Sequence, residues 1–176
     1  MRILAISGSL RAVSSNTALV QAAALLAPPN VEVILYTGLG ELPHFNPDLD
    51  TETPPSAVAD FRAKLRAAAG VLICSPEYVH GVPGTLKNAL DWIVSSGELM
   101  NKPLALVNIS PRSTFAQAQL TEILTTMMAR IIPEASPELP LAGKNLDAAG
   151  IAAHPEFAPR LRDALTALTL SCASSD

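Results

Sequence analysis

The chain reads as a doubly wound α/β domain over residues 1–176, a three-layer sandwich whose five-stranded parallel sheet has the order 2-1-3-4-5 with helices on both faces. Three observations predict it. Short aliphatic runs recur five times, helix-length segments separate them, and most runs lack polar alternation. A parallel sheet covered on both faces needs strands that are apolar on both sides. Right-handed crossovers are the default for such units, and five strands favour this order over a six-strand dinucleotide fold. The length suits one domain with its own core.

Each element has its own signal. The runs "RILAIS" (2–7), "VEVILY" (31–36), "GVLICS" (70–75), "PLALVNIS" (103–110) and "ARIIPEA" (129–135) read as strands. Thr17 to Ala27 is rich in alanine and leucine and stops at Pro28-Pro29, which predicts the first helix. Ser56 to Ala69 sets Val58, Phe61, Leu65 and Ala68 at helical spacing. Pro83 suits a first helical position before "GTLKNALDWIVSS", where Leu86, Leu90 and Ile93 share a side and Lys87/Asp91 form a surface pair. Leu120, Ile123, Leu124 and Met127 mark a fourth helix, and the same period predicts a last one from about Pro155 to about Leu170. The proline-rich stretch 37–56 is long for a connection, and reads as a functional or an interface element.

Composition narrows the function. Twelve Lys and Arg against 16 Asp and Glu give a net charge of −4, without the basic surplus of a nucleic-acid binder. The start "MRILAISGSL" breaks into serine and glycine too early for a signal peptide, and no later run is long enough to span a bilayer, so a cytoplasmic protein is expected. Cys74 and Cys172 make no CxxC, and Cys74 reads as a buried apolar thiol. His44, His80 and His154 lack metal-ligand spacing, so no metal is expected. No GxSxG elbow points to a serine hydrolase.

In such a sheet ligands bind outside the carboxyl ends of the strands, which singles out three loops. The first, "SGSLRAVSSN" (7–16), offers Ser7, Ser9, Ser14 and Ser15, the guanidinium of Arg11, and Asn16 at a helix start, a set suited to a phosphate. It is neither a Walker loop nor GxGxxG. The same serines also serve as helix caps and turn formers, with Arg11 in solvent. The second, "SPEYVHGVPG" (75–84), is stiffened by Pro76 and Pro83; its peptide groups can meet the edge of a flat heterocycle and Tyr78 can wall it, or it is a plain strand-to-helix turn. Glu77 suggests acid/base work, but a lone carboxylate at a helix entrance more often caps free N–H groups. The third, "SPRSTF" (110–115), brings Arg112, with Thr114 as a possible cap. Trp92 reads as core or subunit interface.

Together, "GSLRAVSSN" and "PEYVHGVPGTLKNALDW" resemble the NADPH-dependent FMN reductase family, a flavodoxin-like group with bacterial quinone, chromate and azo-dye reductases, over about residues 2–140. The resemblance implies FMN as cofactor and NADPH or NADH as donor. It implies Ser9, Arg11, Ser14 and Asn16 at the FMN phosphate, with Ser15 and Thr17 as further donors. Pro76, Glu77, Tyr78 and Val79 would lie along the isoalloxazine ring, largely through backbone groups, with His80, Gly81 and Arg112 on the nicotinamide side. The flavin carries the chemistry, so no catalytic side chain is implied; a small-molecule electron acceptor is, by ping-pong kinetics. The third helix commonly joins a dimer in the family, implying a homodimer or homotetramer with Leu86, Leu90 and Trp92 facing a partner as well as the core. Two departures stand out: Val79 replaces a common Asn, and "SPRSTFAQ" replaces a glycine-rich loop.

Overall fold

The computed structural model describes residues 1–174. Strands β1 (Arg2–Ser7), β2 (Glu32–Tyr36), β3 (Gly70–Cys74), β4 (Pro103–Val107) and β5 (Arg130–Ile131) form one parallel sheet in the order β2-β1-β3-β4-β5. The helices are α1 (Ser15–Leu25), α2 (Ser56–Ala67), α3 (Gly84–Asp91), α4 (Thr114–Thr126), α5 (Ala148–Ala153) and α6 (Phe157–Ala173).

Alternate strand residues feed two separate cores, which is why the strands show no polar face. Ile3, Ala5, Leu72, Cys74, Ala105 and Val107 point to one side, where Leu19 of α1 and Phe157, Leu161 and Leu165 of α6 cover them. Leu4, Ile6, Val71, Ile73, Leu104 and Leu106 point to the other, beneath Phe61 and Leu65 of α2, Leu86 and Leu90 of α3, and Leu120 and Leu124 of α4.

Several expected boundaries move. β4 stops at Val107 rather than residue 110, because the Asn108 side-chain oxygen accepts from Ser110 N at 3.0 Å and turns the chain. The fifth strand, expected over 129–135, shrinks to two residues: Pro133 has no N–H for the ladder and opens a 3₁₀ turn, Pro133–Ala135. The hydroxyl of Ser136 takes over at this edge, accepting from Leu106 N at 3.0 Å. The last helix, expected from Pro155 to Leu170, starts at Phe157 and runs to Ala173. Ahead of it lies the unanticipated α5, whose cap, Asp147, accepts from Gly150 N at 2.7 Å.

The stretch 37–56 is held against α3. Asn88 accepts from Phe45 N (2.8 Å) and donates to Pro43 O (2.9 Å), and Trp92 Nε1 donates to the same carbonyl at 2.7 Å. Trp92 is fully buried, and Leu86 and Leu90 are 1% and 2% exposed. The core half of the expectation holds for these three side chains: they are spent on the core of their own chain, which leaves none of them for a partner. The exposed apolar surface beside them belongs to Val94 and Met100. Among the described residues no helix is long and apolar enough to cross a membrane.

Candidate functional site

A cavity of about 460 Å³ opens at the carboxyl ends of β1, β3 and β4. All three loops singled out above reach it. Ser9, Arg11, Ser14, Ser15 and Asn16 line it from the first, Ser75, Pro76, Glu77 and Tyr78 from the second, and Arg112 with Ser110 and Ser113 from the third. Thr17, Val79, His80 and Gly81 are not in its wall. Ala142 and Gly143, ahead of α5, close another side and carried no recognisable signal, since neither has a functional group.

The first loop is shaped by close backbone approach. A side chain at Gly8 would put its Cβ 2.3 Å from Ser75 Oγ and 2.8 Å from Ser75 Cβ, so glycine is required where the β1 and β3 loops meet. Gly8 N donates to Cys74 O at 2.9 Å, which seals that contact. Ser14 caps α1, its hydroxyl accepting from Thr17 N, so its role includes the cap that the sequence left open. Ser9 Oγ accepts from Arg11 N at 3.3 Å and bends the loop back. The Thr17 hydroxyl is paired with Ser7 Oγ at 2.9 Å, which explains its absence from the cavity. Asn16 is buried in the cavity wall, and the Cys74 thiol donates to its Oδ1 at 3.2 Å, which engages the amide oxygen. Burial pushes the Cys74 thiol far up, so it stays protonated and donates.

Charge is arranged for an anion. Among the described residues, the guanidinium groups of Arg11 and Arg112 have no hydrogen-bond or ion-pair partner, and both line the cavity. The one carboxylate in the wall is Glu77, and it is occupied: Glu77 Oε2 accepts from Ala116 N at 2.9 Å, in the first turn of α4. Glu77 thus caps a helix, as a lone carboxylate there suggested, but the helix is α4 rather than the adjacent α3. Ser113, at the head of α4, makes no side-chain cap bond, and Thr114, a possible cap from sequence, is already inside the helix.

The second loop ends in a tight turn. Tyr78 and Gly81 exchange backbone hydrogen bonds, each 3.0 Å, around Val79 (φ 52°) and His80 (φ 55°). Two successive positive φ angles define a type I′ turn, which favours Asn-Gly. A β-branched residue in this region costs on the order of 1–2 kcal/mol. Val79 is fully exposed at the tip, so nothing packs against its side chain to offset that.

The chain is 36% identical over 142 residues to an NAD(P)H-dependent FMN reductase of Pseudomonas aeruginosa, covering 79% of this chain and 76% of that protein. It is 37% identical over 114 residues to a quinone reductase of Pseudomonas putida, covering 62% and 60%. In structure it is similar to FerB, a flavoenzyme NAD(P)H:(acceptor) oxidoreductase from Paracoccus denitrificans, with a TM-score of 0.85, 26% identity, and 98% and 97% of the two chains covered. A Pseudomonas aeruginosa flavodoxin shares the flavodoxin-like fold at a TM-score of 0.59 and 18% identity, over 96% and 99% of the two chains. Residues 1–142, which carry every strand and every residue lining the cavity except Gly143, match the family described as NADPH-dependent FMN reductase, and the chain belongs to that family.

Proposed function

We propose that this chain is a reductase that holds FMN in the cavity, takes electrons from NADPH or NADH, and passes them to a small acceptor such as a quinone, an azo compound, a metal oxyanion or free flavin, in ping-pong fashion. The observation that carries this reading is the Arg11 guanidinium, without a partner among the described residues, beside the hydroxyls of Ser9, Ser14 and Ser15 and the start of α1, in the same cavity as the Pro76–Tyr78 segment.

The residues present fit the cofactor. The volume lies within the roughly 300–1,000 Å³ of small-molecule sites and the donor set suits a phosphate. Ser9, Arg11, Ser14, Ser15 and Asn16 hold the phosphate, with Thr17 shaping the helix start. Pro76, Glu77, Tyr78 and Val79 run along the ring and offer backbone groups. Arg112, with no partner of its own among the described residues, meets an anionic group of the nicotinamide nucleotide, with His80 and Gly81 on the same side. Bound FMN supplies the hydride and electron chemistry. The chain itself need only bind, orient and exclude water.

We further propose that the protein works in the cytoplasm with its two cysteines free, and that it forms a homodimer or homotetramer. An apolar groove of about 290 Å³ between α3 and α4, flanked by exposed Val94, Met100 and Met128, supports the assembly.

The phosphate assignment is tested by titrating FMN into the protein and into Arg11→Ala while following flavin fluorescence. Loss of one charge-assisted contact, about 1.5–3 kcal/mol, weakens binding by about one to two decades. Unchanged affinity would place the guanidinium in solvent and remove this role.

A further inference from the structure

The strained turn at Tyr78–Gly81 is not self-supporting, and α4 meets it at three points. Glu77 Oε2 accepts from Ala116 N at 2.9 Å. Gln119 bridges the far side, its Oε1 accepting from Val82 N at 3.2 Å while its Nε2 donates to His80 O at 3.4 Å. The His80 ring stacks on Phe115 with centroids 4.3 Å apart and planes 16° from parallel. Gln119 follows Ala116 by three residues and Phe115 by four, so the three meet the loop from one face of α4. Between the clamped ends, the backbone N–H groups of Val79 and His80 have no acceptor among the described residues.

We infer that Glu77 and Gln119 are positioning residues that hold the Val79–His80 turn in its left-handed geometry from α4, and through it set the affinity and reduction potential of the bound FMN. This rests on the functional reading above. Glu77 acts here as a strut. Its Oε2 is engaged at the head of α4, where the partial positive charge of the helix N-terminus favours a carboxylate. Gln119 acts at the other end by satisfying one donor and one acceptor of the loop with a single side chain.

The role separates from both a catalytic acid and a merely structural contact through two variants. In Glu77→Gln an amide oxygen still accepts from Ala116 N, and in Val79→Asn the turn gains a residue that tolerates positive φ. The experiment measures the FMN dissociation constant and midpoint potential of the holoprotein for wild type, Glu77→Ala, Glu77→Gln, Gln119→Ala, and the two alanine variants combined with Val79→Asn. The Ala variants are expected to weaken FMN binding about tenfold and to shift the potential, Glu77→Gln to stay within about threefold, and Val79→Asn to restore most of the loss. Glu77→Gln as damaging as Glu77→Ala, or no rescue by Val79→Asn, would overturn the inference. The clamp is read independently of flavin from amide exchange in the apoprotein, where Val82 N–H should exchange faster in Gln119→Ala; unchanged exchange overturns it as well. A wild-type protein that takes up no FMN would overturn the functional reading, and with it the role in flavin affinity, while the exchange result still reports on the clamp.

Discussion

At the residue scale the loop after β3 carries a conformational cost. Val79 sits at φ 52° with its side chain fully in solvent, so its energy is decided by backbone geometry alone. Val79→Asn should therefore raise the urea midpoint, adding about 1 kcal/mol of stability with an unchanged denaturant slope. A lower midpoint would mean that the valine makes a contact the structure does not contain. This turn was not legible in the sequence, because the Asn-Gly signature of a type I′ hairpin is replaced by Val-His. The destination of Glu77 was half legible. Its chemistry as a cap follows from a carboxylate near a helix start, but which helix it reaches depends on the packing of β3 against β4. Arg11, Ser14 and Asn16 were legible as cleft-lining residues because the loop after the first strand lies at the carboxyl edge of the sheet.

At the element scale, the stretch 37–56 and α3 are locked by a buried ion pair as well as by Asn88 and Trp92. Arg62 Nη2 donates to Asp50 Oδ1 at 2.7 Å and its Nε donates to Trp92 O at 3.0 Å, while Ser95 donates to the other Asp50 oxygen at 2.5 Å. The pair is well shielded, with side chains 7% and 12% exposed. The Ser95 hydroxyl first, and then the Arg62 guanidinium, hold the Asp50 carboxyl below its ordinary value of 3.8 against the opposing effect of desolvation. A lowered folded value means that the stabilisation is fully present above the ordinary value and disappears as pH falls through the lowered one. Asp50→Asn should therefore be less stable than wild type at neutral pH, with a shallower loss of stability in acid below about pH 4. Urea unfolding across that range measures it; equal acid slopes would contradict the assignment. The sequence marked this stretch as functional or interfacial from its length, but could not show that the interface is internal, since Asp50, Arg62 and Ser95 are brought together only by the α2 and α3 packing.

At the scale of the whole molecule, the sheet order was legible because apolar runs separated by helix-length segments leave few right-handed arrangements. What escaped were the edges: β5 is two residues long and α5 only six, too short for periodicity to register. The chain carries a net charge of −4, yet its cavity holds two arginines without a partner among the described residues and one occupied carboxylate. That local reversal of sign draws anions to the cavity rather than to the rest of the surface. The groove beside Val94, Met100 and Met128 should carry the contact between copies. Light scattering on the wild type should give a dimer or larger species, and Met128→Glu should shift it toward monomer, whereas a monomeric wild type would contradict assembly. The decisive measurement of the reductase cycle is the visible absorbance spectrum of the FMN-loaded protein during anaerobic addition of NADPH. Flavin bands near ~450 nm should bleach on donor addition and return when a quinone is supplied. Bands that persist with both NADPH and NADH, or a protein that retains no FMN, would contradict that cycle.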